Sequence, residues 1–156
     1  MYKPILVPHA GTPAGDEALR HAIHAAKDTS ARIIILHIVE KISHPPSFAL
    51  SSSEREKLVK SIDDANESIR EEMKAEMKTR SQQCKDNGIE SEIKVAIGDA
   101  SEIILDEAEK ENVDLIVMSK RRKLKGVKKL LSLGSVSRKI VENAQCPVLL
   151  MDVEKI

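Results

Sequence analysis

Residues 118–140 read MSKRRKLKGVKKLLSLGSVSRKI, in which nine positions are Lys or Arg and none is acidic. The basic stretch runs into Gly134-Ser135, directly ahead of an apolar-periodic segment. That order suits anion binding. A helix start offers free backbone N–H groups and the positive end of the helix dipole, and glycine lets a ligand approach the backbone closely. The upstream cations would neutralise phosphate charge. The same residues also read as an ordinary helix start, with Ser135 able to cap, behind a solvated basic loop.

Other reactive residue types carry weaker signals. His9 follows the first apolar run, but no acid is placed beside it by spacing, so it reads as a lone histidine and not as half of a catalytic dyad. His21 and His24 lie three apart, with no cysteine to complete a metal site. They read as a surface pair, and Asp16, Glu17 and Asp28 as ordinary helix-end acids. His37 falls mid-strand and reads as a core or edge residue. Cys146, before Pro147, reads as a buried structural thiol. Neither GxxxxGK(S/T) nor GxGxxG occurs, so the P-loop and dinucleotide fingerprints are missing. A Ser-His-Asp arrangement cannot be read from spacing at all, because its members meet in space.

Five short, β-branched apolar runs can position these residues: 3–8, 32–39, 90–97, 113–119 and 147–153. Several are continuously apolar, as strands covered on both faces are. Helical spacing fills the intervals. Residues 13–28 align Ala18, Leu19, Ala22, Ile23 and Ala26. Residues 52–87 align Leu58, Ile62, Ala65, Ile69, Met73, Met77 and Cys84, and stop at Asn87-Gly88. Residues 100–111 open on a capping-box pattern, Asp99 to Glu102. Residues 135–144 turn Val136, Ile140 and Val141 inward. The alternation β-α-β-α-β-α-β-α-β predicts an α/β fold, a parallel sheet with helices on both faces. Ligands of such sheets sit beyond the carboxyl ends of the strands, where strand order reverses. The loops that matter are then 9–15, 40–47, 98–100 and the basic stretch after Met118; 40–53 reads as a mobile loop. A phosphoacceptor receiver domain shares this element order but needs acids where this chain has His9-Ala10.

The 156 residues suit one domain, 1–156. Lys plus Arg equals Asp plus Glu at 25 each, so any attraction for a polyanion must be local. One Tyr, one Phe and no Trp argue against stacking on single-stranded nucleic acid. A polyanion site over 120–129 stays open as an alternative. No apolar run approaches the roughly 18 residues of a membrane span. Met1-Tyr2-Lys3 leads into a short apolar run without a cleavage site, so no signal peptide is read. Two cysteines without a CxxC fit a reducing compartment, and a cytoplasmic location is expected.

Taken in order, YKPILVPHAGT, ALRHAI, LHIV, GDASEIIL, DLIVMS and LGSVSRKIVENAQCPVLLM resemble the universal stress protein family over nearly the whole chain. The resemblance implies a Rossmann-like, adenine nucleotide alpha hydrolase-like sheet of five parallel strands, order 3-2-1-4-5. It implies regulatory work in stress response, and a homodimer through the last strand, here Pro147 to Val153. Some members bind ATP and some do not. The binders resemble a pattern G-x2-G-x9-G-(S/T) after strand 4, with an Asp after strand 1. Here Gly134-Ser135 match the end of that pattern, while the earlier glycines fall on Ser119, or on Arg121 and Leu124, and the Asp position is Ala10. The implied nucleotide-binding set is Pro8, His9, Ala10, Val39, Gly98, Met118, Ser119, Arg122, Gly134, Ser135 and Val136. Val39 would offer backbone groups to adenine, and Gly98 would admit the ribose. Lys120, Arg121, Arg122 and Lys123 would either clamp phosphate or fill its space. ATP or another adenine nucleotide is the implied ligand, with no metal. No general base reads at this site, so a slow nucleotide hydrolase ranks last, behind a non-nucleotide interaction module of the same fold.

Overall fold

A computed structural model describes residues 2–40, 50–120 and 134–152. Nine elements follow in the expected order: β1 (Pro4–Pro8), α1 (Pro13–Ala26), β2 (Arg32–Val39), α2 (Ser52–Asp86), β3 (Glu90–Ile97), α3 (Ala100–Lys110), β4 (Leu115–Lys120), α4 (Ser135–Asn143) and β5 (Val148–Asp152). All strand pairs are parallel and the sheet order is β3-β2-β1-β4-β5.

The continuous apolar runs have a direct cause. Along a strand, successive side chains point to opposite faces. Ile5 and Val7, Ile33 and Ile35, Leu115 and Val117 enter one core with α1 and the end of α2. Leu6, Ile34, Leu36, Ile116 and Met118 enter the other, with Ile104 of α3 and Ile140 of α4. Both parities are buried, so both are apolar through the middle of these strands.

Helix ends are set by local chemistry. Thr12 caps α1 by accepting the Gly15 N–H at 3.3 Å, with Pro13 in the first turn. Asp99 caps α3 by accepting from Glu102 N–H at 3.0 Å. The reciprocal capping box forms at α2 instead, where Ser51 and Glu54 bond each other's backbone. Helix α2 closes as expected: Ile89 N–H reaches back to Cys84 O at 3.0 Å and Gly88 N–H to Lys85 O at 2.8 Å, with Gly88 at φ +72°. Asn112, at φ 49°, ends α3 the same way, and Val113 bonds Ala108 O, so β4 begins at Leu115 and not at 113.

Two inward faces differ from expectation. The α2 stripe is buried only at Met77, Ser81 and Cys84, while Leu58, Ile62, Ile69 and Met73 are partly exposed and Ala65 is exposed. The reason is length. Thirty-five helical residues span about 52 Å, whereas the eight-residue strands β2 and β3 span about 27 Å. In α4, Val141 points outward at 47% exposure and Ser137 is buried in its place. Across the far side of the sheet, Arg32 and Lys94 grip Glu111 and tie β2 and β3 to the end of α3. Lys94 and then Arg32 hold the Glu111 carboxyl at about 2.

These placements make a contrast. Ile34→Ala, in a fully buried position, should cost about 2–5 kcal/mol. Ile62→Ala, on the overhanging half of α2, should cost well under half as much in the same urea titration. Equal losses would show that α2 is packed along its whole length.

Candidate functional site

The chain runs from β1 outward through β2 to β3, then returns to the other side of β1 to lay down β4 and β5. Strand order therefore reverses between β1 and β4, and the crevice lies beyond their carboxyl ends. Pro8 ends β1, His9 and Ala10 follow it, and Met118 and Ser119 lie near the end of β4. Val39 ends β2 and Gly98 follows β3, and the two are joined by a bond from Gly98 N–H to Val39 O at 3.0 Å. Gly98 has φ +151°, and a Cβ there would stand 3.1 Å from Ile103 Cδ1. Gly134, Ser135 and Val136 open α4. The topology thus brings the described members of the expected set to one edge of the sheet. Arg122 lies outside the described residues, as do Arg121, Lys123, Leu124, Val153 and most of the 40–53 and 120–129 stretches. Lys120 ends β4 and already pairs with Asp152 at 2.9 Å.

The N-terminus of α4 corrects one expectation. Gly134, not Ser135, holds the cap position, and no side chain caps the helix. Gly134 has an ordinary φ of −55°, and among the described residues a Cβ there would meet nothing within 4 Å. The fold itself does not demand this glycine. Among the described residues, no side chain caps the first turn of α4.

His9 is not the lone histidine the spacing suggests. It is 2% exposed, and its ring is bonded at both nitrogens. Gly11 N–H donates to Nδ1 at 3.0 Å, so Nδ1 is an acceptor and the ring proton sits on Nε2, which donates to Asp16 Oδ1 at 3.1 Å. Arg80 of α2 donates through Nε to the same Asp16 oxygen at 2.9 Å. His37 donates from Nδ1 to the His9 carbonyl at 2.8 Å. Burial would raise the Asp16 carboxyl, but the Arg80 guanidinium outweighs it and holds Asp16 below the usual carboxylate range. Burial pushes the His9 imidazole down, against the pull of Asp16. His9 is therefore neutral at pH 7, with no ring nitrogen left to act as a base. This network fixes the loop between β1 and α1. Its members were invisible in sequence because Arg80 lies 64 residues from Asp16 and meets it only when α2 packs on α1.

The remaining expectations sort simply. His21 bonds Glu17 at 3.2 Å and His24 is exposed, as a surface pair. His37 is buried. Cys84 is buried, whereas Cys146 is partly exposed and not the buried thiol expected; burial pushes both thiols up. Among the described residues no group of three or more His, Cys, Asp and Glu could hold a metal ion, and no helix is long and apolar enough to cross a membrane.

A five-stranded parallel sheet of order 3-2-1-4-5, covered by helices on both faces, defines a Rossmann-like α/β fold. The sequence model of the universal stress protein family matches residues 1–152, and the chain belongs to that family. Universal stress protein MJ0531 of Methanocaldococcus jannaschii is 30% identical over 155 residues, covering 99% of this chain and 85% of that protein. Among solved structures, MJ0577 superposes with a TM-score of 0.79 at 24% identity, covering 100% of this chain and 99% of that one. A universal stress protein in complex with cAMP gives 0.65 at 18% identity, over 97% of each chain. The Arabidopsis thaliana protein At3g01520, with AMP bound, gives 0.60 at 18% identity, over 98% of this chain and 93% of that one. At these identities the three structures establish the shared fold.

The His9 ring packs on the first turn of α1, where a Cβ at Gly15 would stand 2.9 Å from its Cε1. Gly15→Ala should therefore destabilise the protein by about 1–3 kcal/mol, although helix propensity alone favours alanine by up to ~1 kcal/mol. In a His9→Ala background the same change should be neutral or stabilising. A double-mutant cycle by urea unfolding checks this, and additive effects would contradict the packing.

Proposed function

We propose that this protein is a regulatory, adenine nucleotide-binding universal stress protein whose crevice takes the phosphate at the start of α4. One observation carries the reading: Gly134 leaves the α4 N-terminus without a side-chain cap, and among the described residues nothing stands within 4 Å of where its Cβ would be, although its φ does not require glycine. A phosphate there would meet free N–H groups and the positive end of the helix dipole. The Val39 carbonyl already accepts the Gly98 N–H at 3.0 Å, so its second lone pair and the backbone at Gly98 would supply the adenine and ribose side of the same crevice. The AMP- and cAMP-bound relatives of this fold support the choice of ligand class. ATP belongs to that class, and Pro8, Ala10, Met118, Ser119, Ser135 and Val136 would lie around it. Ala10, exposed where nucleotide-binding members have Asp, removes one hydrogen bond to the ligand and so lowers affinity without removing the backbone-built part of the site. A missing hydrogen bond to a charged group costs about 1.5–3 kcal/mol, or ten- to a hundredfold in affinity.

The same exposed Ala10 is the observation that favours the second reading, an interaction module without nucleotide. In either case β5 offers a surface for a second copy. It is an edge strand in which Leu149 is 39% exposed and every residue is at least partly exposed. Antiparallel pairing of two such edges would give the homodimer. The free thiols Cys84 and Cys146 suit a reducing cytoplasm.

A thermal-shift series separates the two readings. A ligand at a hundred times its Kd stabilises the folded state by about 2.7 kcal/mol, and at roughly 2–4 °C per kcal/mol for a domain of this size AMP, cAMP or ATP should raise Tm by about 5–10 °C. Gly134→Val should abolish the shift while leaving the unliganded Tm within a few degrees. An unchanged Tm with all three ligands at millimolar concentration would favour the module without nucleotide.

A further inference from the structure

The His9 network permits only one protonation state of its central ring. Nδ1 receives the Gly11 N–H at 3.0 Å, and a proton added there would set two donors against each other. The ring cannot turn away, because its face lies against Gly15 and its Nε2 is held by Asp16. Its backbone is equally fixed: His9 N–H bonds Leu36 O at 2.9 Å, and the His9 carbonyl takes the His37 Nδ1–H. The part free to yield is the Ala10-Gly11 segment, which belongs to the crevice.

Resting on the nucleotide reading above, we propose that His9 is a positioning residue whose protonation releases the loop between β1 and α1, so that adenine-nucleotide occupancy falls as the surroundings turn mildly acidic. The charges around the ring set the direction. Asp16 of α1 would welcome a cationic ring but is already engaged by Arg80 of α2, whose own charge opposes it. Glu76 of α2, paired with Arg80 at 3.9 Å, reaches towards Gly11 and not the ring. His37 of β2, which donates to the His9 carbonyl, also opposes a cationic His9 ring. Burial disfavours the charged ring most and places its titration below the ordinary 6.5. The open loop, with the ring in water, takes the proton first. The closed loop is therefore fully favoured above pH 6.5 and loses ground as pH falls from there.

The test uses the full chain and cAMP, whose phosphodiester does not titrate between pH 8 and 5. The dissociation constant should rise as pH falls through the His9 transition, approaching tenfold per pH unit. His9→Asn, which keeps an acceptor for Gly11 but cannot titrate, should flatten that profile. In the 15N-labelled wild-type protein, the Gly11 amide resonance should move with the His9 ring, and at neutral pH the ring should carry its proton on Nε2. This second readout stands even where the variant fails to fold. A pH-independent cAMP affinity, or a Gly11 amide indifferent to the His9 titration, would overturn the proposal. Absence of cAMP binding at every pH, with Gly11 still following His9, would overturn the nucleotide reading and leave the loop release in place.

Discussion

Strands β1, β2 and β4 bury alternate residues in two separate cores, and that double burial governs the rest of the molecule. A sheet apolar on both faces needs helices on both, which parallel strands joined by right-handed crossovers provide. With α1 and α2 on one face and α3 and α4 on the other, the chain must reverse direction across the sheet once. It does so between β1 and β4. The crevice is a consequence of covering the sheet, and its walls are the turns that the crossovers require.

The fold was legible in sequence because that constraint writes itself into local patterns. RIIILHIV cannot be a half-solvated strand, and Asn87-Gly88 ends a helix by left-handed geometry that few residues adopt. What periodicity cannot report is how far a helix extends past the layer it covers. The stripe from Leu58 to Cys84 is uniform in sequence, yet only its last third meets the core. Val141 failed for a related reason: on a nine-residue helix, one apolar residue beside the true stripe is indistinguishable from a member of it.

The placement of the candidate site's backbone positions was legible in sequence, and that of its side chains was not. Gly98, Gly134 and the ends of β1 and β4 follow from topology. The His9–Asp16–Arg80 chain does not, since it depends on two helices meeting over the β1 turn. Asp16 looked like a first-turn acid and is one, but its carboxylate also anchors a buried imidazole. The chain has Ala10 where nucleotide-binding relatives carry an acid, and immediately beside it a histidine that stiffens the same turn from within. On the proposed function, the rigidity that His9 supplies would offset part of the hydrogen bond that Ala10 cannot make, because a loop already held in place loses less entropy when a ligand arrives.

On the proposed function, the start of α4 receives a nucleotide phosphate. A titration of AMP into 15N-labelled protein, followed through backbone amide resonances, addresses it most directly. AMP should shift Ser135 and Val136 most, with smaller shifts at Gly98 and Ala10. Resonances that stay fixed at α4, or that shift only at surfaces remote from the carboxyl ends of β1 and β4, would contradict it.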